Sequence, residues 1–263
     1  MDEWKSQINA GHPAWSGYRG FLDGLRADRF PTVDALNEVM PDHLVNREGV
    51  PIRFVPQSAL PDVAYEKHIY QTGEVSTRTE NWHDLCNALV WFRLPLLKAA
   101  MNARHYQCLG AAESGGRGAV RDALTLFDES GVIICSSNAG LLEALAARDW
   151  ERVFVDCRTS WSQDVSVRVC GHAILEKLQN PYKSLTAHAV FLHSEALLPD
   201  EEVDSLLADM LLEGELLRST ADLSPVPLMG VPGWWEAGPQ DAAFYADRGV
   251  FRPPPSCIQG EPG

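Results

Sequence analysis

Two stretches of this chain carry more chemistry than packing calls for. The first is Arg78-Thr79-Glu80-Asn81-Trp82-His83-Asp84-Leu85-Cys86-Asn87. His83 and Asn87 are one helical turn apart, so on a helix they project from one face with Asp84 beside them. An imidazole beside a carboxylate suits a general base and its orienter, while Arg78 or Asn87 can hold a developing negative charge. The second stretch is Gly171-His172-Ala173-Ile174-Leu175-Glu176-Lys177-Leu178, followed by Leu185-Thr186-Ala187-His188-Ala189. His172 and Glu176 at helical spacing let an imidazole and a carboxylate reach one ion, and His188 arrives from the neighbouring strand as a third ligand. Such a set suits one divalent ion, zinc, manganese or iron, with positions left open for water. The chemistry that joins both stretches is metal-assisted hydrolysis. His172, Glu176 and His188 hold the ion, the ion acidifies a bound water, and His83 with Asp84 supplies the base or its orienter.

Each feature also has an ordinary explanation. Asp84 complements a helix N-terminus, and Asn87 and Lys98 line a solvated face. His172 caps a helix or sits satisfied in the core, and Glu176 pairs with Lys177 or water; two groups at helical spacing arise readily by chance. Two other functions therefore stand beside the hydrolase. His83, Asn87 and His105 could form a nuclease-like set acting on a phosphodiester. Alternatively, the chain is a non-catalytic binding or scaffold module whose His, Asp and Asn residues form a buried polar network. The discriminating observation is spatial: an enzyme needs His83 and His172 in one open concave pocket. Asp128 and Glu129 are assigned to a turn, and Arg121, just before Asp122, to a surface ion pair ahead of an anion contact.

Charge and missing motifs narrow the partners. Against 22 Lys and Arg stand 36 Asp and Glu, a formal charge of −14, so a polyanion meets a repulsive field. A small-molecule substrate is expected and nucleic acid is not. No G-x-x-x-x-G-K-[ST] phosphate loop, H-E-x-x-H helix, G-x-S-x-G elbow or G-x-G-x-x-G turn occurs, so no nucleotide cofactor is expected. The chain opens Met1-Asp2-Glu3 without a basic-then-apolar leader, and no apolar run approaches the ~18 residues that span a bilayer. The expectation is a cytoplasmic protein without a membrane partner; nothing in the pattern fixes an oligomeric state. Six cysteines with no C-x-x-C pair read as reduced, mostly buried thiols.

The elements that must position these groups point to one α+β domain. The spacing predicts a short helix over Val33 to Met40 and tandem helices over 79–107 divided at Pro95. Gly110 to Gly118 reads as a mobile loop, and residues 121–137 as a hairpin turning at Asp128-Glu129-Ser130-Gly131. Strands are predicted at Val153 to Asp156, Val165 to Val169 and Leu185 to Leu192. Helices are predicted near Leu141 to Ala147, over Gly171 to Leu178 and over Pro199 to Leu217. Eight of the 17 prolines fall after Leu223, interleaved with Trp234, Trp235, Phe244, Tyr245 and Phe251, which predicts an irregular strap across the core. The fold class is thus α+β, a single compact domain with a small mixed or antiparallel sheet packed by helices and a Pro/aromatic-rich C-terminal strap. Residues 1–60 form a cover of short helices, 61–255 the core and 256–263 a flexible tail.

Asn81-Trp82-His83-Asp84-Leu85-x-Asn87-Ala88-Leu89-Val90-Trp91, with Pro95, Lys98 and Asn102 behind it, resembles the signature of the bacterial domain-of-unknown-function family 3025. Arg121-Asp122-Ala123-Leu124-Thr125-Leu126-Phe127-Asp128-Glu129 is similar to it as well. So are Gly171-His172-Ala173 with Glu176 and Lys177, and Gly230-Val231-Pro232-Gly233-Trp234 with Phe244-Tyr245 and Phe251-Arg252-Pro253. The likeness spans roughly residues 60 to 255 as one unit, in keeping with typical domain sizes. It implies a cytoplasmic bacterial protein and carries over no reaction and no catalytic residue.

Overall fold

Caps and prolines written in the sequence set the element boundaries of the computed structural model, which describes residues 4–59, 64–109 and 115–254. The N-terminal segment holds short helices only, α1 (Arg19–Gly24) and α2 (Val33–Val39), because its prolines recur too often for anything longer. Trp15 and Tyr18 are nonetheless fully buried, and the Tyr18 hydroxyl donates to the Val169 carbonyl. Strand β1 (Arg53–Pro56) pairs in parallel with β2 (Glu74–Thr77), and α3 (Tyr65–Thr72) lies between them in the chain.

Helix α4 (Trp82–Arg93) starts at Asn81, whose side chain accepts from the Asp84 N–H at 3.0 Å. Leu94 leaves helical geometry, and Pro95 opens α5 (Pro95–Leu109), where its missing N–H is harmless. The exposed amides of that start are met from across the core: Asp204 accepts from Leu96 and Leu97 at 2.9 and 2.8 Å.

The expected hairpin is not formed. Residues 115–130 are helix α6 (Gly115–Ser130), which runs directly into β3 (Gly131–Ser136). Residues 110–114 of the expected loop lie outside the described residues. Ala123, Leu124 and Phe127 are buried at helical spacing, a pattern that a short apolar run shares with a strand. Gly131 serves close approach instead of a hairpin turn, since a Cβ there would sit 2.3 Å from the Phe127 carbonyl oxygen.

After β3 come α7 (Ala139–Ala146), β4 (Val165–Val169), α8 (His172–Lys177), β5 (Thr186–His193), α9 (Asp200–Glu213), β6 (Ser224–Pro227) and α10 (Ala242–Tyr245). The strand predicted at Val153 to Asp156 is a π-helical turn, Arg152–Asp156. Its β-branched residues favour a strand locally, but Phe154 stacks between Trp150 and Trp161 at 5.8 and 5.5 Å, and tertiary packing wins. The four-stranded sheet is mixed, in the order β4-β3-β5-β6: β3 lies antiparallel to β4 and parallel to β5, and β5 antiparallel to β6. Every residue of β3 is buried, as a central strand covered on both faces requires. The C-terminal strap is irregular apart from β6 and α10, with Trp234, Phe244, Tyr245 and Phe251 packed into the core. The protein is one α+β domain. Among the described residues no helix is long and apolar enough to cross a membrane, and all five described cysteines are free thiols; the predicted tail at 256–263 lies outside the described residues.

Candidate functional site

Two glycines bring the chemistry together. Gly171 packs its backbone on the α6–β3 junction, donating its N–H to the Gly131 carbonyl at 2.8 Å, and a Cβ at 171 would lie 2.3 Å from the Gly131 nitrogen. This contact sets the first residue of α8, His172, beside the last turn of α6, which carries Asp128 and Glu129. The first turn of α4 brings His83 to the same place. These residues line a cavity of about 460 Å³, walled also by Tyr65 and Glu66 of α3, by Arg78, Asp84, Asn87 and His105, and by Arg121.

At the cavity wall the Nε2 atoms of His83 and His172 face each other at 2.9 Å, with ring planes crossed at 83°. Glu129 Oε1 lies 3.6 Å from the His172 nitrogen and 4.0 Å from that of His83. Among the described residues, His83, Glu129 and His172 are the group of three whose ligand atoms lie within 4.8 Å of one another. The outer nitrogens face carboxylates. His83 Nδ1 stands 3.1 Å from Glu176 Oε2; an ionised carboxylate only accepts, so in the neutral ring that nitrogen carries the proton and Nε2 the lone pair. His172 Nδ1 is buried without a hydrogen bond and faces Asp128 Oδ2 at 3.8 Å, a charge contact beyond hydrogen-bond reach.

Behind the histidines runs a buried relay. Lys98 Nζ donates to Asp128 Oδ1 at 2.6 Å and to Asn87 Oδ1 at 2.9 Å, and Asn87 Nδ2 donates to the Tyr65 hydroxyl at 3.1 Å. Burial opposes the charge on Asp128, yet Lys98 and His172 outweigh it and hold the carboxyl far below the usual range. Burial likewise works against a charged His172, but Asp128, with Glu129 nearby, raises its imidazole to about 9. His172 in turn holds the Glu129 carboxyl low despite partial burial. Glu66 behaves oppositely: burial pushes its carboxyl up, against His105 and the 2.7 Å hydrogen bond from Asn102.

The arrangement differs from the one expected from sequence. His83 and His172 meet, but the set His172, Glu176 and His188 is not assembled around one point. Glu176, one turn along α8, lies against α4 and reaches the outer nitrogen of His83. The β5 register puts His188 opposite Gly131, where its Nδ1 meets the Ser130 hydroxyl at 2.8 Å, away from the cavity lining. Asp84 does not orient His83 either. It grips Arg78 through two side-chain contacts of 3.0 and 2.7 Å and a backbone N–H contact of 2.6 Å, fixing Arg78 at the wall. Asn87 and Lys98 are buried and line no solvated face, and Asn102 and His105 are buried beyond them. Asp128 and Glu129, assigned to a turn, end a helix instead. Two acids in a final helical turn oppose the helix dipole, a signal that appears once 121–130 is read as helix. Tyr65 and Glu66 carried no pattern of their own.

No curated protein and no solved structure matches the chain. A family model described as "Protein of unknown function (DUF3025)" matches residues 52–254, which covers α3 to α10 and every residue of the cavity named above. The chain belongs to the DUF3025 family.

Proposed function

We propose that the chain is a metal-assisted hydrolase of a small substrate, with His83, His172 and Glu129 holding one divalent ion at the cavity wall. The observation that carries this reading is the pair of inward-facing Nε2 atoms at 2.9 Å. His83 turns Nε2 toward Nε2 of His172, and the gap between the two nitrogens is one that a divalent ion can fill in place of a shared proton. The three ligand atoms stand 2.9, 3.6 and 4.0 Å apart, close enough together for one ion to reach all three. Two imidazoles and one carboxylate suit zinc, manganese or iron. Glu176 is the outer carboxylate that fixes the His83 ring, while Asp128 acts on His172 as a nearby charge.

A bound ion would supply Lewis acidity and a water acidified toward neutrality. The chain's own groups do the rest. Glu66, its carboxyl raised by burial, stands in the same cavity to take and return a proton, with His105 beside it. Arg78, locked by Asp84, and Arg121 offer guanidinium groups to an anionic substrate or to developing charge. The open cavity supports a catalytic site over a closed polar network. The −14 formal charge weighs against a phosphodiester polymer as substrate. The free thiols among the described residues support a reducing, cytoplasmic setting.

A proton can fill the same gap, making His172 an imidazolium and His83 a base; the raised titration of His172 favours this second reading in metal-free protein. Metal analysis of protein purified without a histidine tag separates the two. One equivalent of zinc or manganese, with turnover of an ester, amide or phosphate panel that a chelator abolishes, supports the hydrolase. No stoichiometric metal at any purity and no binding of added ion overturns it. Iron with oxygen consumption would retain the site and overturn the hydrolysis.

A further inference from the structure

On the far edge of the sheet a second cavity, of about 330 Å³, is lined by Arg148, Trp150, Ser184, Thr186, Gly249, Val250, Arg252 and the two prolines of β6. Among the described residues its lining includes two arginines and no acidic residue, in a chain whose formal charge is −14. Among the described residues Arg148 has no side-chain hydrogen bond or ion pair, and Arg252 uses only its Nε, toward the Gly249 carbonyl at 3.1 Å. The backbone of Arg252 is pinned by the Trp150 indole N–H, which donates to its carbonyl at 2.8 Å.

Arg148 occupies a position where the backbone favours glycine. Its φ is +53°, directly after the end of α7. Its N–H donates to Leu145 O at 3.1 Å and the Asp149 N–H to Ala144 O at 2.9 Å, the paired closure that usually places glycine in the left-handed residue. An arginine there sits against local strain, and it lines the cavity.

The edge of β6 also decides what kind of ligand fits. Leu228 donates its N–H inward to Leu185 at 2.9 Å, so by alternation Val226 also faces β5 and the outward positions are Pro225 and Pro227. Neither has an N–H to offer, so an added peptide strand finds no donors on this edge.

We infer that this cavity binds a small organic anion, its phosphate or carboxylate head on Arg148 and Arg252 and an apolar body against Trp150, Pro225, Pro227 and Val250. The two hydroxyls, Ser184 and Thr186, are the neutral polar groups within the lining. The site is distinct from the histidine cavity and does not depend on the function proposed for it.

Calorimetric titration of the full chain with phenyl phosphate, benzoate and inorganic phosphate tests the inference. Saturable binding is expected for one of the aromatic probes, more tightly than for inorganic phosphate; phenyl phosphate or benzoate as the winner names the head group. Arg148→Gly and Arg252→Gln should each weaken it about tenfold or more, the scale of one charge-assisted contact. Arg148→Gly should also leave the melting temperature unchanged or raise it, since glycine suits the backbone, which separates a binding role from a structural one. Glu129→Gln should bind the probe as the unaltered protein does. Absence of saturable binding at millimolar concentration, affinity unchanged in both arginine variants, loss of binding in Glu129→Gln, or inorganic phosphate binding as tightly as either aromatic probe would overturn the assignment.

Discussion

Gly171 donates its backbone N–H to the carbonyl of Gly131 at 2.8 Å, and this contact between two side-chain-free residues sets His172 beside Glu129. A methyl group at 171 would meet the Gly131 nitrogen at 2.3 Å, and the backbone of Ser130 stands nearly as close. Neither neighbour can yield without moving the α6–β3 junction. Gly171→Ala is therefore expected to destabilise the domain by about 1–3 kcal/mol or more, the range for overpacking, and to weaken any ion held by His172 and Glu129. Urea unfolding with a parallel metal titration checks both; a variant of unaltered stability and affinity would show the contact to be incidental.

Lys98 and Asp128 form a buried pair at 2.6 Å, with side chains 7% and 17% exposed. Removing one partner strands the other. Lys98→Met or Asp128→Leu alone should cost about 3–5 kcal/mol, while the double variant should recover a large part of that loss. A double-mutant cycle in urea reads the coupling directly. Simple additivity would mean that the two groups are independently solvated.

His172 makes metal-free stability depend on pH. Its imidazole titrates near 6.5 in the unfolded chain and at about 9 in the folded one, so the folded state holds the proton more tightly. The stabilisation is complete below about pH 6.5 and is lost as pH rises toward and past 9, a fall of as much as about 3 kcal/mol. Chelated protein should show this decline in urea titrations, and His172→Gln should flatten it. Added divalent ion should reverse the trend, because the metal needs the deprotonated ring and displaces its proton.

Asp204 tests the frame behind the site. Its two contacts to the Leu96 and Leu97 amides hold the start of the helix that carries Lys98. Asp204→Ala should cost about 0.5–2 kcal/mol, as losing a helix cap does, measured by thermal or urea unfolding. Burial raises this carboxyl to about 6. Protonation therefore favours the folded state, and the cost of burying the ionised carboxyl should ease as pH falls below 6.

Glu176 is expected to act on the ion through His83 alone. Glu176→Ala should weaken metal affinity about 10–100-fold while leaving the fold intact, as outer carboxylates of metal-bound histidines do. Competition titration with a chelating indicator measures it; unchanged affinity would remove Glu176 from the site.

Helix caps, prolines and long periodic runs carried most of the architecture in the sequence. Asn81, Pro95 and the acidic start of α9 lie where local chemistry alone demands a boundary. What local pattern could not decide was the run Ala123 to Phe127, short and apolar enough for strand or helix, and its misreading hid Glu129 as well. Helical spacing brought His83 and His172 forward as reactive groups. Their partners were not legible, because the pairing depends on Gly131 and Gly171 closing two segments far apart in the chain. The Val153 to Asp156 turn was lost for a similar reason, since aromatic stacking from Trp150 and Trp161 overrides the preference of its valines.

The central claim is that His83, His172 and Glu129 form one cation site, and divalent-ion affinity of untagged Glu129→Gln against untagged His188→Gln tests it most directly. The account predicts one ion per chain in the unaltered protein, an affinity at least tenfold weaker in Glu129→Gln, and no change in His188→Gln. Tight binding that survives Glu129→Gln but fails in His188→Gln, or no stoichiometric binding in any of the three, would contradict it.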